Sequence, residues 1–328
     1  MEEIEISASW ENAADQMICH GWRKILLLGA VDSGKSTFCR FLSQRLLQSG
    51  ANVAILDADI GQKDIGPPAS ITLGYPESAG KPGDAKPLAF YFVGAVNPVR
   101  HLLPMVVGTK ILLEAARASF VIINTTGLIH GIGRVLKGYK IEIVQPDLIV
   151  AIQTGSELHS LLRSCRNQRA LPVNRSPKAM AKNAEQRKLA RQLAFFNYFK
   201  EADEIELDCR KLIFQRSLLF NGAVFNDPRF LYSEATSEGI LAVGSDNVGR
   251  RDDLQVLKPG FEKNLLCGLA DRKGRGRGLA IIKRIDFKKQ TILLTTPVLP
   301  DFIKVIQPGD LYVNRDGIEL YRKRPGAF

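Results

Sequence analysis

Gly29-Ala30-Val31-Asp32-Ser33-Gly34-Lys35-Ser36-Thr37 is the stretch that decides the fold. It is a complete G-x-x-x-x-G-K-[ST] phosphate-binding loop. Before it runs Lys24-Ile25-Leu26-Leu27-Leu28, a short apolar run of strand type, and after it Phe38-Cys39-Arg40-Phe41-Leu42 through Leu47 is spaced like a helix. A strand therefore delivers the chain to a glycine turn, whose N–H groups, with the helix N-terminus, wrap an anionic phosphate. There Lys35 reaches the β- and γ-phosphates and the Ser36 hydroxyl is placed to ligate Mg²⁺. A bound nucleoside triphosphate is the expectation.

Outward from the loop the chain alternates strand and helix. Strands are predicted at 24–29, 52–57, 88–93, 119–124, 147–152 and 170–173, with helices at 36–48, 99–117, 134–141, 156–164 and 178–199. Near-continuous apolar strands between helices predict a mostly parallel sheet buried on both faces. Residues 61–87, rich in Gly and Pro, read as a loop excursion. Beyond about Leu212 short strand-like runs alternate with turns, at 239–243, 264–270, 278–287, 291–295, 303–306 and 317–321. The fold class expected is α/β, a P-loop NTPase with flanking helices plus a smaller, mostly β C-terminal domain. The segments are 1–23 (short, helical around Trp10–Cys19), a nucleotide-binding domain at 24–211 and the β domain at 212–328.

The 328 residues carry a net charge of +11, which favours polyanionic partners. The charge is concentrated. Lys/Arg at 163, 166, 169, 175, 178, 182, 187, 188 and 191 face only Glu185, and those at 272, 273, 275, 277, 283, 284, 288 and 289 face only Asp286. No apolar stretch reaches a membrane span, and Met1-Glu2-Glu3 is unlike a secretion signal. Cys19, Cys39, Cys165, Cys209 and Cys267 form no C-x-x-C pair, which argues for the reducing cytoplasm and against a zinc module.

Three further elements give the γ-phosphate a destination. Asp57-Ala58-Asp59-Ile60-Gly61-Gln62 ends the second strand at the carboxyl edge of the sheet, where ligands bind in open α/β folds. Neighbouring carboxylates on an extended segment point to opposite faces, so one serves the metal while the other faces the acceptor or the core. A loop-capping role suits Asp57 better than Asp59. Asn124-Thr125-Thr126-Gly127-Leu128 offers hydroxyls and N–H groups at the end of the next strand. Arg187 and Arg191, at i,i+4 on the 178–199 helix after a Pro- and Arg-rich run, form a candidate lid for the charge spread in phosphoryl transfer. No Asn-Lys-x-Asp guanine motif occurs, so ATP is the expected donor.

In this order, the motifs resemble the polynucleotide 5′-hydroxyl kinase family of pre-mRNA cleavage, tRNA splicing and ribosomal RNA processing. The matching pieces are Asp32-Ser33-Gly34-Lys35-Ser36-Thr37, Asp57-x-Asp59-x-Gly61-Gln62, Tyr91-Phe92-Val93-Gly94 with Asn97-Pro98, Thr125-Thr126-Gly127 with Gly131-x-Gly133, and Arg187-x-x-x-Arg191 before Tyr198-Phe199. More loosely, Leu266–Asp271 and Gly278-Leu279-Ala280 match as well. The resemblance implies an ATP- and Mg²⁺-dependent kinase acting on 5′-hydroxyl ends of RNA, or of single-stranded DNA, with RNA-processing proteins as partners and no membrane. It implies Lys35 on the β/γ-phosphates and Thr37 on the α-phosphate, within a loop of Gly29, Asp32, Ser33 and Gly34. Asp59 is implied as general base or metal partner, with Ser36 and Asp57 toward Mg²⁺ and Gln62 placing metal or phosphate. Thr125 and Gly127 form the clasp, and Arg187 and Arg191 neutralise the transferring group. Leu128 stands where the family commonly has a Trp suited to stacking on a base. Few residues precede the first strand, as in a compact prokaryotic form. A nucleotide-dependent switch or assembly factor, and a plain RNA-binding protein using Arg272–Arg277, are the rival readings.

Overall fold

Alternation along a strand sends Leu26 and Leu28 of β1 (Lys24–Gly29) to one face and Ile25 and Leu27 to the other, and all four are fully buried. Such a strand needs cover on both faces, and each fully buried Leu or Ile favours it by about 1.5–3 kcal/mol. The computed structural model, which describes residues 7–76, 85–176, 181–245 and 252–322, supplies that cover. The chain divides into two units, Met1–Arg191 and Gln192–Phe328.

In chain order the first unit holds α1 (Ala8–His20), β1, α2 (Lys35–Gln48), β2 (Val53–Ala58), β3 (Ser70–Tyr75), β4 (Lys86–Phe92), α3 (Leu102–Ala115), β5 (Phe120–Thr125), α4 (Ile132–Val144), β6 (Leu148–Gln153), α5 (His159–Ser164) and β7 (Ala170–Asn174). Helix α6 (Ala184–Phe199) spans the division. The strand order is β4-β3-β2-β5-β1-β6-β7. On one face Ile25 and Leu27 pack with Trp10, Met17, Phe38 and Leu42 of α1 and α2. On the other, Leu26 and Leu28 pack with Met105, Leu112, Leu136 and Ile141 of α3 and α4. Trp10 pins α1 by donating its indole N–H to the Asn174 carbonyl at 2.8 Å.

The sheet is parallel from β2 through β5, β1 and β6 to β7. It is antiparallel where β3 joins β2 and β4. The loop expected at 61–87 thus contains a full strand. Helix α3 starts at Leu102 rather than 99, because Asn97 Oδ1 caps the Val99 N–H and Arg100 takes a left-handed φ of 70°. The helix expected at 156–164 forms over His159–Ser164, and the one expected at 178–199 over Ala184–Phe199, with 178–180 outside the described residues.

In the second unit β8 (Asp203–Asp208), β9 (Ile213–Phe214), β10 (Ala223–Val224), β11 (Tyr232–Thr236), β12 (Gly239–Val243), β13 (Leu254–Leu257), β14 (Leu265–Ala270), β15 (Gly276–Asp286), β16 (Thr291–Thr296), β17 (Val305–Val313) and β18 (Glu319–Arg322) follow. Strands β18, β17, β14, β15, β16 and β8 pair in that order, all antiparallel, while β10–β13 make a separate four-stranded sheet. The β texture begins before 212, since β8 pairs residue by residue with β16 from Asp203 to Asp208. Part of this unit's basic charge is neutralised within it: Asp271 binds Arg275 and Arg277, and Glu204 and Glu206 face Lys283 and Arg284.

Candidate functional site

Strand β1 ends at Gly29, where an added Cβ would lie 2.8 Å from the Ile152 carbonyl oxygen. Glycine is required there by close approach, and at Gly34 by a φ of 90° at the helix N-cap. Asp32 also adopts a left-handed φ of 57°. The buried Lys35 ammonium curls over this turn and donates to the Ala30 carbonyl at 2.6 Å. Burial lowers its pKa to about 8, while Asp59 and Asp32 pull it the other way.

Beyond β2 the two carboxylates separate as the pleat dictates. Asp57 is fully buried: Oδ1 accepts from Asp59 N–H and Asn124 Nδ2, and Oδ2 from the N–H groups of Asp64 and Ile65. The buried Lys63 ammonium lies 3.2 Å from Asp57 Oδ2. Asp57 thus organises the 59–65 loop. Asp59 Oδ1 accepts from the N–H groups of Gly61 and Gln62 at 3.0 Å each, and Oδ2 has no hydrogen bond of this kind among the described residues.

Asp64 escaped the sequence reading. It lines one cavity with Ser36 and sits 2.6 Å from Arg40, and burial together with the Asp57 charge raises its pKa. Ser36, Arg40, Asp57, Asp64 and Asn124 line a cavity of about 10 Å³, room for one water. The buried Oδ1 of Asn124 has no hydrogen-bond partner among the described residues. Hydroxyl, carboxylate and amide oxygens are the donor set that a hard cation such as Mg²⁺ takes. Among the described residues no group of three His, Cys, Asp or Glu side chains suits a metal ion. A cation here would draw on phosphate oxygens and water for its remaining ligands, as Mg²⁺ at phosphate sites does.

On the clasp, the Thr125 hydroxyl turns into the sheet and donates to the Leu27 carbonyl at 2.8 Å. It anchors the turn rather than presenting a donor at its surface. Gly127 packs directly on the nucleotide loop, where a Cβ would come within 2.6 Å of Val31 Cα. Gly131 opens α4 with a φ of 52°, and a Cβ on Gly133 would collide with the Leu128 carbonyl.

Arg187, expected from the sequence as a lid residue, lies on the loop: its Nη2 meets Asp32 Oδ2 at 2.5 Å, and the Lys182 N–H donates to the same oxygen. Gln62 Nε2 reaches the Arg187 carbonyl at 3.3 Å, so its amide ties the 59–65 loop to helix α6. The buried Arg187 Nε has no hydrogen-bond partner among the described residues, a donor suited to an anion. Arg191 lies one turn further on, half-buried.

Two more buried lysines stand in α4. Lys137 Nζ donates to the Thr126 carbonyl at 2.6 Å and to its hydroxyl at 3.0 Å, whereas Lys140 Nζ has no hydrogen-bond partner among the described residues. Both fall on the helix's inward stripe of Gly133, Leu136, Ile141 and Val144, a spacing legible in the sequence. Burial lowers the Lys140 pKa from 10.5 to about 7, with Lys63 adding and Asp59 and Asp57 opposing. Between those values the unfolded chain binds the extra proton, so this group's contribution to stability rises with pH. Lys140→Met is therefore expected to exceed the wild type in stability most below pH 7, by a margin that shrinks toward pH 10. Denaturant unfolding across that range measures the margin, and a margin that widens with pH would contradict the assignment.

The model of the mRNA cleavage and polyadenylation factor CLP1 P-loop family matches residues 29–201. The chain is 35% identical over 321 residues to polyribonucleotide 5′-hydroxyl-kinase MJ1315 of Methanocaldococcus jannaschii, covering 90% of this chain and 89% of that protein. It is 33% identical over 317 residues to polyribonucleotide 5′-hydroxyl-kinase PF0112 of Pyrococcus furiosus, with the same coverage. Among solved structures, wild-type Clp1p in complex with Pcf11p (454–563) matches with a TM-score of 0.63 at 12% identity, over 92% of this chain and 78% of that one. That last likeness is one of fold. No helix among the described residues is long and apolar enough to cross a membrane.

Proposed function

This chain belongs to the CLP1 P-loop family, and from that premise we infer that it is an ATP- and Mg²⁺-dependent polynucleotide 5′-hydroxyl kinase acting on RNA ends. What carries this activity is the gathering of Lys35 and the Arg187 guanidinium on one glycine turn, with the Asp59 carboxylate close enough for its charge to act on Lys35. The relatives at 35% and 33% identity support it.

Phosphoryl transfer needs positioning and charge neutralisation more than covalent help from the protein. The turn's N–H groups and Lys35 hold the β- and γ-phosphates. Asp59 Oδ2 accepts the proton of the acceptor 5′-hydroxyl as its oxygen bonds to the γ-phosphorus. The bond from that phosphorus to the β-phosphate oxygen breaks, and ADP leaves with the electron pair. Arg187 exchanges Asp32 for the transferring group, with Arg191 behind it, and the fork geometry of guanidinium suits three equatorial oxygens. Ser36 and Asp64, with Asp57 and Asn124 behind them, would hold Mg²⁺, which neutralises charge on the β- and γ-oxygens.

Incubation with γ-labelled ATP and 5′-hydroxyl oligonucleotides of identical sequence, one RNA and one DNA, tests this. Label is expected on the RNA. ATP hydrolysis with no label on either acceptor would overturn it. Leu128, in place of a stacking Trp, keeps one rival in play: an assembly factor in which nucleotide binding recruits an RNA-processing protein. Nucleotide-dependent partner capture that persists in a transfer-dead Lys35→Ala variant would favour that rival. The cytoplasm is the compartment that fits five free thiols.

A further inference from the structure

Lys137 sits where a helix ordinarily puts Leu or Met. It is fully buried on the inward stripe of α4, and an ammonium there is costly unless hydrogen-bonded. Its two bonds both go to one residue, Thr126, at 2.6 and 3.0 Å. Thr126 is the middle of the turn after β5. On one side Thr125 is tied to β1 through the Leu27 carbonyl, and on the other Gly127 lies against Val31 of the nucleotide loop with no room for a methyl group. Among the described residues, these two Lys137 bonds are the side-chain attachment that holds the centre of the turn. Burial, with Lys140 and Lys35 nearby, drives the Lys137 pKa well below its usual value, so these two short bonds are what hold the amine in place at the turn. Lys140 is the natural contrast, on the same helix and equally buried, but bonded to nothing in the turn.

We propose that Lys137 is a positioning residue for the phosphoryl transfer inferred above, bracing the Thr125–Leu128 turn so that Gly127 and the nucleotide loop keep the spacing the reaction needs. The proposal rests on the kinase activity for its rate effect, but its structural half stands apart from that activity. Displacements near 1 Å can cost about 10²-fold in rate. Lys137→Met keeps the volume and removes both bonds, so kcat is expected to fall about 100-fold with KM for ATP within about threefold of wild type. Its melting temperature should not fall, because a buried charge has been removed. A purely structural lysine would show the reverse, lost stability with proportionate loss of both constants.

Three measurements decide it: steady-state labelling of 5′-hydroxyl RNA, thermal unfolding, and amide hydrogen exchange of peptides covering 29–34 and 125–131. Wild type, Lys137→Met and Lys140→Met are compared. Exchange should quicken in both segments for Lys137→Met alone, and Lys140→Met should keep kcat within about threefold. Wild-type kcat and exchange in Lys137→Met would overturn the proposal. So would an equal loss of kcat in Lys140→Met, which would make the effect one of charge rather than of the brace. If the wild-type protein labels no acceptor, the kinase activity fails and the exchange comparison alone decides the brace. If Lys137→Met does not fold, Lys137→Gln, which retains a shorter donor, is measured in its place and must fall below wild type in kcat or exchange protection.

Discussion

Asp59→Asn is expected to lose about 10³-fold of the transfer rate while binding ATP normally, within the ~10²–10⁴ range that a positioned general base contributes. The substitution is informative because of how Asp59 is held. Its Oδ1 accepts from the Gly61 and Gln62 N–H groups, and an asparagine carbonyl oxygen accepts both as well. The 59–65 loop therefore stays folded, while the group facing the acceptor becomes an amide that takes no proton. Single-turnover labelling of saturating 5′-hydroxyl RNA, alongside a fluorescent-nucleotide binding titration, separates the two effects. Transfer within tenfold of wild type would remove Asp59 as the base.

Arg187→Ala is expected to lower kcat by about 10³-fold, the lower end of what an arginine contributes to phosphoryl transfer. Arg187 already touches the nucleotide loop through Asp32, and its buried Nε has no hydrogen-bond partner among the described residues. Its backbone is held separately by Gln62 through the Arg187 carbonyl, a bond that the alanine variant keeps. The helix therefore stays near the loop, and the loss reports on charge at the transferring group. Arg187→Lys restores the charge but not the fork, and recovers only part of the rate. A kcat within fivefold of wild type for Arg187→Ala, measured at saturating ATP and RNA, would place the transition-state cation elsewhere.

The nucleotide loop, β1 and the run from β5 to α4 were legible because local pattern and tertiary role agree there. Strand β3 was not. Ser70 and Thr72 look like turn residues beside Gly66, Pro67 and Pro68, yet both are buried. Ser70 finds its partner in the Pro67 carbonyl, and β2 and β4 supply the ladder from either side. Those are tertiary facts. At the site, Lys35, Asp59, Gln62, Gly127 and Arg187 gather around one loop from well-separated parts of the sequence. Thr125 was legible as a clasp residue, but the inward pleat at the end of β5 turns its hydroxyl into the sheet. Asp64 carried no motif of its own, because its meeting with Ser36 depends on Asp57 folding the intervening loop back on itself. Lys137 and Lys140 also escaped the sequence reading, although they stand as charges at core positions of an amphipathic helix. Only contact with Thr126 distinguishes one from the other.

At a pH low enough to keep them protonated, those two buried lysines also give the molecule a distinctive response to heat. Water holds a charged group less tightly as temperature rises, so the penalty for keeping Lys137 and Lys140 dry diminishes on warming. The stability gap between Lys140→Met and the native chain should accordingly close between about 25 and 70 °C, since apolar burial gains little over the same interval. Full stability curves for the two proteins, from calorimetry combined with denaturant unfolding, would converge on the hot side. The arrangement around Thr126 is thus one whose cost is greatest in the cold.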